Sequence, residues 1–461
     1  MRFRKPARPA DPTESLGVVE TRSGELLLLD FGCSELWSGE ASPVVEEGRF
    51  DPELTASLNR GGDHEVVGPD AERAAGHLDL ASVHGRYAFD VPGDAGVVRE
   101  RLAAVCAEHG LQAELRPIDR MPHRERVRRL LDRAPAGTEV PFHGMWGVVV
   151  RGVPAGRALP VRGVRMDPEG PDAGRWRSVW VEVAEGDVAS SEAIGYVLVD
   201  RARLMFADPD ALSSWNAGEP KEGLADLVFW GRDGDAVAAH LGAERFDEAG
   251  HTVHGWRDRS LDEVRRLGAA LREHLAASSA KVATDYRPHD DDHRILTAMR
   301  ESPSESATAD VAGGRVCGFF TSWGDGAFPV YRDLGVDGGL LRVRVELGAP
   351  EIVARARRME ELWFGSLAKL AIASPGVVRG DGVRWLERYA PRNEQDSGWC
   401  VYAGTETQEE LDDPGSATLV PLRDLIKGQP DLEAVFATPA PAAFERADDG
   451  SWQPIPLPEE P

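Results

Sequence analysis

Apolar and polar positions along the chain fall into short blocks separated by Gly-, Pro- and Asp-rich joints. An unbroken apolar run, Leu26–Leu29, ends at Asp30 and reads as a buried segment. His84–Val91 alternates with the period of a strand. Val97–His109 and Glu125–Ala134 have helical spacing, with Leu102, Val105 and Cys106 on one face of the first. Beyond Gly137–Phe142 the pattern turns to strands at Met145–Val150, Ser178–Val183 and Ile194–Val199, parted by turn-rich loops such as Asp167–Gly174. Ser260–Ala277 is the clearest helix. Ser260 suits the N-cap, Glu263 completes a capping box, and Leu261, Val264, Leu267, Leu271 and Leu275 recur at three and four. Arg315–Ser322 and Leu340–Leu347 read as strands, with Val336-Asp337-Gly338-Gly339 as hairpin-turn chemistry between them. Pro350 suits the first turn of a helix running to about Ala373, ended by Ser374-Pro375-Gly376. The last strands fall around Val383–Arg388 and Gly398–Tyr402.

Strands and helices mix without regular alternation, which predicts α+β architecture rather than a doubly wound sheet. The expected organisation is multi-domain, with a strand-rich middle domain, flanking helices and a small α+β C-terminal domain. Its parts are a disordered N-terminus (1–14), an N-terminal α+β domain (15–140), the middle domain (141–348), a linking helix (349–375), the small domain (376–455) and a tail (456–461). One internal echo crosses these boundaries. Leu26–Glu40 and Leu204–Glu219 each hold an apolar run, an Asp, and a Trp seven positions later: Asp30 with Trp37, and Asp208 with Trp215. If the echo marks a repeated module, residues 15–140 are a degenerate relative of the middle domain.

Charge narrows the functional classes. The 461 residues hold 53 Lys+Arg against 78 Asp+Glu, a net charge of -25. Phosphate contacts need a cationic face, so general nucleic-acid binding is excluded, as is adhesion to an anionic membrane. A basic partner suits this charge. Four widely separated cysteines without a CxxC pair form no disulfide framework or zinc signature, and no apolar h-region follows the Arg-rich amino end. A cytoplasmic protein is expected.

Candidate chemistry is sparse. Nucleophile-elbow, zincin, P-loop and dinucleotide motifs are absent, so no catalytic residue and no cofactor is assigned. His289-Asp290-Asp291-Asp292-His293 has metal-ligand residue types, but it reads as a solvated loop or helix start, and no metal is expected. The acidic run Glu406, Glu409, Glu410, Asp412 and Asp413 reads as a solvated face or, alternatively, a charged recognition surface. Ser322–Tyr331, with Gly324 and Gly326, either presents Trp323, Asp325 and Tyr331 to a partner or forms a tight corner with its aromatics buried.

Residues 380–455 resemble the bacterial immunity protein 33 family, formerly domain of unknown function 2185. The carrying residues are Asp396-Ser397-Gly398-Trp399, Ala403-Gly404-Thr405-Glu406, Leu411-Asp412-Asp413-Pro414, Pro430-Asp431-Leu432 and Ala443-Phe444-Glu445-Arg446. Cys400 stands where the family usually has Arg, and Leu411 where it often has Tyr. Residues 145–347 resemble a second family, domain of unknown function 4241, at Gly195–Asp200, Phe206-Ala207-Asp208 and Ser322–Tyr331 with Asp337-Gly338. The first resemblance implies an intracellular immunity protein that blocks a polymorphic toxin by stoichiometric binding, with a basic toxin domain as protein partner. On that reading the partner-facing candidates are Asp396, Trp399, Glu406, Glu409, Glu410, Asp412, Asp413, Trp323, Asp325 and Tyr331. Two other readings compete. One is an enzyme whose carboxylates Asp200, Asp208 and Asp325 converge. The other is an acidic regulatory or scaffold protein.

Overall fold

Leu26–Leu29 is buried on both faces because it lies inside a large sheet. A computed structural model describes residues 12–39, 52, 62–78, 88–91, 95–119, 121–135, 137–142, 144–248, 251–413 and 415–457. The chain divides into two units, Met1–Ala349 and Pro350–Pro461.

The first unit runs through nearly the same order of elements twice. It begins with β1 (Thr13–Glu20), β2 (Glu25–Asp30) and a 3-10 turn at Phe31–Trp37. Then come β3 (Gly62–Val67), α1 (Ala71–Ala75), β4 (Ala88–Val91), α2 (Ala95–His109), β5 (Glu114–Pro117) and α3 (His123–Arg133). The first pass closes with β6 (Thr138–Phe142), β7 (Met145–Arg151), β8 (Ala158–Arg165) and β9 (Trp176–Glu182). The second pass opens with β10 (Ser190–Val199), β11 (Arg203–Ala207) and α4 (Pro209–Leu212). Next are β12 (Leu224–Trp230), α5 (Gly234–Leu241), β13 (Glu244–Glu248), β14 (His251–Ser260), α6 (Leu261–Ala277), β15 (Ala283–Pro288) and α7 (Asp291–Glu301). It ends with β16 (Ser306–Val311), β17 (Gly314–Phe320), β18 (Gly326–Leu334) and β19 (Leu340–Glu346).

The two passes match in detail. β1 meets β8 with a bulge between Ser15 and Gly17, and β10 meets β18 with a bulge between Ala193 and Gly195. Val18 then faces Pro160, and Tyr196 faces Pro329. The Val18 amide donates to Thr308 Oγ1 and the Tyr196 amide to Glu139 Oε1, each on the other pass's β16 or β6. Asp30 accepts from the amide of Asp200, just ahead of β11, while Asp208 accepts from the amides of Arg22 and Ser23, just ahead of β2. The passes join across three antiparallel pairs, β2 with β11, β9 with β19 and β1 with β17. The strand path is β10-β18-β19-β9-β8-β1-β17-β11-β2-β7-β6, with β16 beside β17. Each pass also inserts a smaller sheet, β4-β3-β5 and β13-β14-β12-β15. Helices α3 and α7 pack Val127, Leu131, Ile295 and Met299 onto the large sheet's core.

These pairings correct the expected boundaries. Residues 15–140 are not a separate domain, because β1 and β2 are interior strands of the same sheet as the middle segment. The echo of Asp30–Trp37 and Asp208–Trp215 has a structural counterpart, but the recurring stretches are 13–182 and 190–346. Residues 13 and 14, expected in a disordered terminus, open β1. Residues 84–87 of the His84–Val91 strand, Glu40, and most of the expected N-terminus and tail lie outside the described residues.

In the second unit, α8 (Pro350–Trp363) is followed by a 3-10 turn at Ser366–Ala368, β20 (Leu370–Ala373), α9 (Pro375–Arg379), β21 (Trp385–Arg388) and β22 (Asp396–Tyr402). Next come α10 (Gln408–Asp412), β23 (Thr418–Pro421), α11 (Leu422–Gly428), α12 (Leu432–Phe436), β24 (Ala442–Arg446) and β25 (Trp452–Pro454). The sheet order is β23-β20-β22-β21-β24-β25, parallel only between β20 and β22. The expected single helix to Ala373 is thus a shorter helix, a 3-10 turn and a strand. Glu361 accepts from the Ser366 amide and hydroxyl and closes the helix end. Ala371 and Ala373 then alternate into the core as strand residues. The multi-domain α+β class stands. No described helix is long and apolar enough to cross a membrane.

Candidate functional site

The motif residues of the C-terminal segment build turns. Asp396 accepts from the amides of Arg392 and Gly398, both at 2.8 Å. Burial pushes its pKa up, but these amides outweigh it and hold the carboxyl below its usual value. Gly398 has φ 76°, and a Cβ there would sit 2.2 Å from the Tyr389 carbonyl, so only glycine fits. Trp399, expected to face a partner, is fully buried against Phe436 and Phe444. A side chain so enclosed is core.

The acidic run divides by role. Glu406 accepts from the amides of Ala403 and Gly404 and from the Ser374 hydroxyl, bracing β22 against the start of α9. Partial burial opposes its ionisation, yet those donors keep its pKa below the usual range. Glu410 forms the capping box of α10 with Thr407 and pairs with Arg379 at 2.7 Å. The Thr407 amide and then Arg379 lower its pKa. Asp412 accepts from the Gln408 side chain, and Asp413 from the Gly415 amide. Glu409, Asp412 and Asp413 make no ion pair among the described residues and are exposed. Beside them in sequence, Leu411 is 47 % exposed and Leu419, on edge strand β23, is 63 % exposed. An acidic helix followed by an edge strand with an outward leucine is a surface that can take a protein partner.

In the first unit, Trp323 is also core rather than partner-facing. It is 3 % exposed, and its Nε1 donates to the Trp176 carbonyl at 2.6 Å. Tyr331 is half-buried under the Arg344 guanidinium, and exposed Asp325 accepts from the Ala202 amide. The stretch is therefore a corner between β17 and β18, and it lies in a different unit from the acidic run. Asp200 and Asp208 flank opposite ends of β11, and both Asp208 and Asp325 hold turn amides. The carboxylates do not converge as an active site requires.

His289–His293 departs most from expectation. The three aspartates between the histidines are not solvated. Asp290 caps α7 through the His293 amide, and Asp291 binds Lys221 and Arg294. Asp292 accepts from Ser34 and Trp215, and burial lifts its pKa to about 7. Lys221, Ser34 and Trp215 lie far away in sequence, so local polarity misled. The histidines turn the other way. Their rings stack at 4.2 Å, and His289 Nε2 lies 2.8 Å from Asp226 Oδ1. Burial, and then His289, lower the pKa of His293 and favour its neutral form. Asp226 carried no signal in sequence, since it comes from β12, 63 residues before His289.

Comparison with known families supports one of the two resemblances. A model of the immunity protein Imm33 domain matches residues 371–456, the span from β20 to β25. No curated protein and no solved structure matches the chain. Residues 371–456 are therefore similar to an immunity protein domain, and such a domain implies a protein partner.

Proposed function

We propose that this chain is a bacterial immunity protein that neutralises a polymorphic toxin in the cytoplasm by stoichiometric binding. The observation that carries the reading is the immunity-domain match over residues 371–456. The exposed acidic stretch from Glu409 to Asp413, with Leu411 and the edge strand beyond, supports a basic toxin domain as the partner. Nucleic acid and anionic membrane are poor partners for so acidic a chain. The resemblance of residues 145–347 to domain of unknown function 4241 rests on its motifs alone. On this reading the large first unit positions or supplements the binding domain.

Coexpression with toxin domains encoded beside its gene tests the proposal. Growth is restored, and the two proteins co-purify at one to one, if it is right. Unrelieved toxicity with every such toxin, while the full chain is expressed and folded, overturns it.

A further inference from the structure

We infer that Asp226, His289 and His293 form a binding site for a divalent transition-metal ion. One donor atom from each lies within 4.8 Å of the others. Bonds of about 2.0–2.2 Å place ligand atoms about 3.0–3.4 Å apart, so closing the triad needs side-chain adjustment and no change of fold. Two imidazoles and one carboxylate suit zinc, cobalt, nickel, iron or manganese. The supports behind the donors are in place. Asp226 Oδ1 accepts from the Asp258 amide at 2.9 Å, and the Asp258 carboxylate stands 3.9 Å from His289 Nδ1. Asp258 reaches both because β14 is bulged opposite Asp226 and places it at φ 54°. A carboxylate behind a ligating histidine is a common outer partner of metal sites, and bulges re-aim residues near such sites.

Two independent observations point to a cation. First, Asp226 and His293 line an open cavity of about 750 Å³ whose walls carry six carboxylates against three arginines. Two of those arginines, Arg287 and Arg300, are already held by Glu248, so the cavity draws positive charge. Second, the first pass has its own version of this place. Gly68 and Gly231 open the same turn, and Asp70 and Asp233 accept from the amides of Gln112 and Lys281 in the same way. In that alignment Asp63 of β3 stands where Asp226 stands in β12. Asp63 is neutralised by buried Arg126 at 2.6 Å, a guanidinium supplied by α3. In the second pass no arginine among the described residues pairs with Asp226, and two imidazoles, from the residue after β15 and from α7, gather at the carboxylate instead. A protein cation in one copy is replaced by donors for an external one in the other.

The test uses the full chain freed of metal by a chelator, with Zn²⁺ or Co²⁺ alone as probe. Calorimetry should give one ion per chain, and Co²⁺ should develop visible d–d bands. His293→Gln and Asp226→Asn should weaken binding by at least ~100-fold, beyond the ~10–100-fold typical of an outer partner. His240→Gln, in the separate stacked pair of His240 and His274, should bind as the parent does. Unfolding without metal checks that each variant is folded. If a variant is not, ring-nitrogen NMR of the parent decides: Zn²⁺ should shift His289 and His293 and leave His240 and His274 in place. Absence of stoichiometric binding, equal binding by His293→Gln, or shifts confined to other histidines overturns the assignment.

Discussion

Asp30 shows how one residue can serve two elements. Its Oδ1 caps the 3-10 turn through the Gly32 amide at 2.7 Å, and its Oδ2 takes the Asp200 amide at 2.6 Å. The price of that position is burial, which raises the pKa above the ordinary 3.8 despite both amides. The folded state therefore holds a proton that the unfolded chain has already released. Stability tied to Asp30 is fully present below pH 3.8 and falls as pH rises through the folded value. Asp30→Asn keeps the Oδ1 acceptor and removes the titration. Urea midpoints measured from pH 4 upward should then fall less steeply with pH in the variant than in the parent. Parallel curves would show that Asp30 does not titrate differently on folding.

Elements with strong local signals were legible, although many strands, β1, β8 and β12 among them, carried no such signal. Ser260 caps α6 as its position suggested, and the Val336–Gly339 turn joins two paired strands, β18 and β19. These signals are local, carried by residues three or four apart. What escaped was whatever depends on distant pairing: the interleaving of two passes in one sheet, the strand hidden in Leu370–Ala373, and the meeting of Asp226 with His289. The Asp–Trp echo pointed to recurrence, but only strand register could place its limits. The paired bulges offer a test of that recurrence at the level of elements. Gly195 has φ 138°, and a Cβ there would lie 2.2 Å from the Glu139 side chain; Gly17 has φ 145° and would meet Thr308 at 2.3 Å. Gly195→Ala and Gly17→Ala should each lower stability by about 1–3 kcal/mol, as a strained backbone does. Chemical denaturation measures both, and a cost at one bulge without the other would show that the two are not equivalent.

At the scale of the whole molecule, the net charge of -25 is unevenly spread. Residues 401–461 hold 13 Asp+Glu and 3 Lys+Arg, a net -10 in about an eighth of the chain. Carboxylates held by turn amides keep their charge and add to the steering field, whereas Glu410 and Asp431 are offset by Arg379 and Arg446. Long-range attraction acts on the rate of encounter and weakens as salt shortens the Debye length, about 10 Å at 0.1 M. Association with a basic toxin should therefore slow several-fold between roughly 50 and 300 mM salt, while dissociation changes little. The triple variant Glu409→Gln, Asp412→Asn, Asp413→Asn removes three charges that brace no other element. It should associate more slowly at low salt, converge with the parent at high salt, and unfold at the parent's denaturant midpoint within about 0.5 kcal/mol. Stopped-flow association across the salt series reads this directly. A salt slope unchanged by the triple variant would place the toxin contact away from α10 and leave Glu409, Asp412 and Asp413 as a solubilising face.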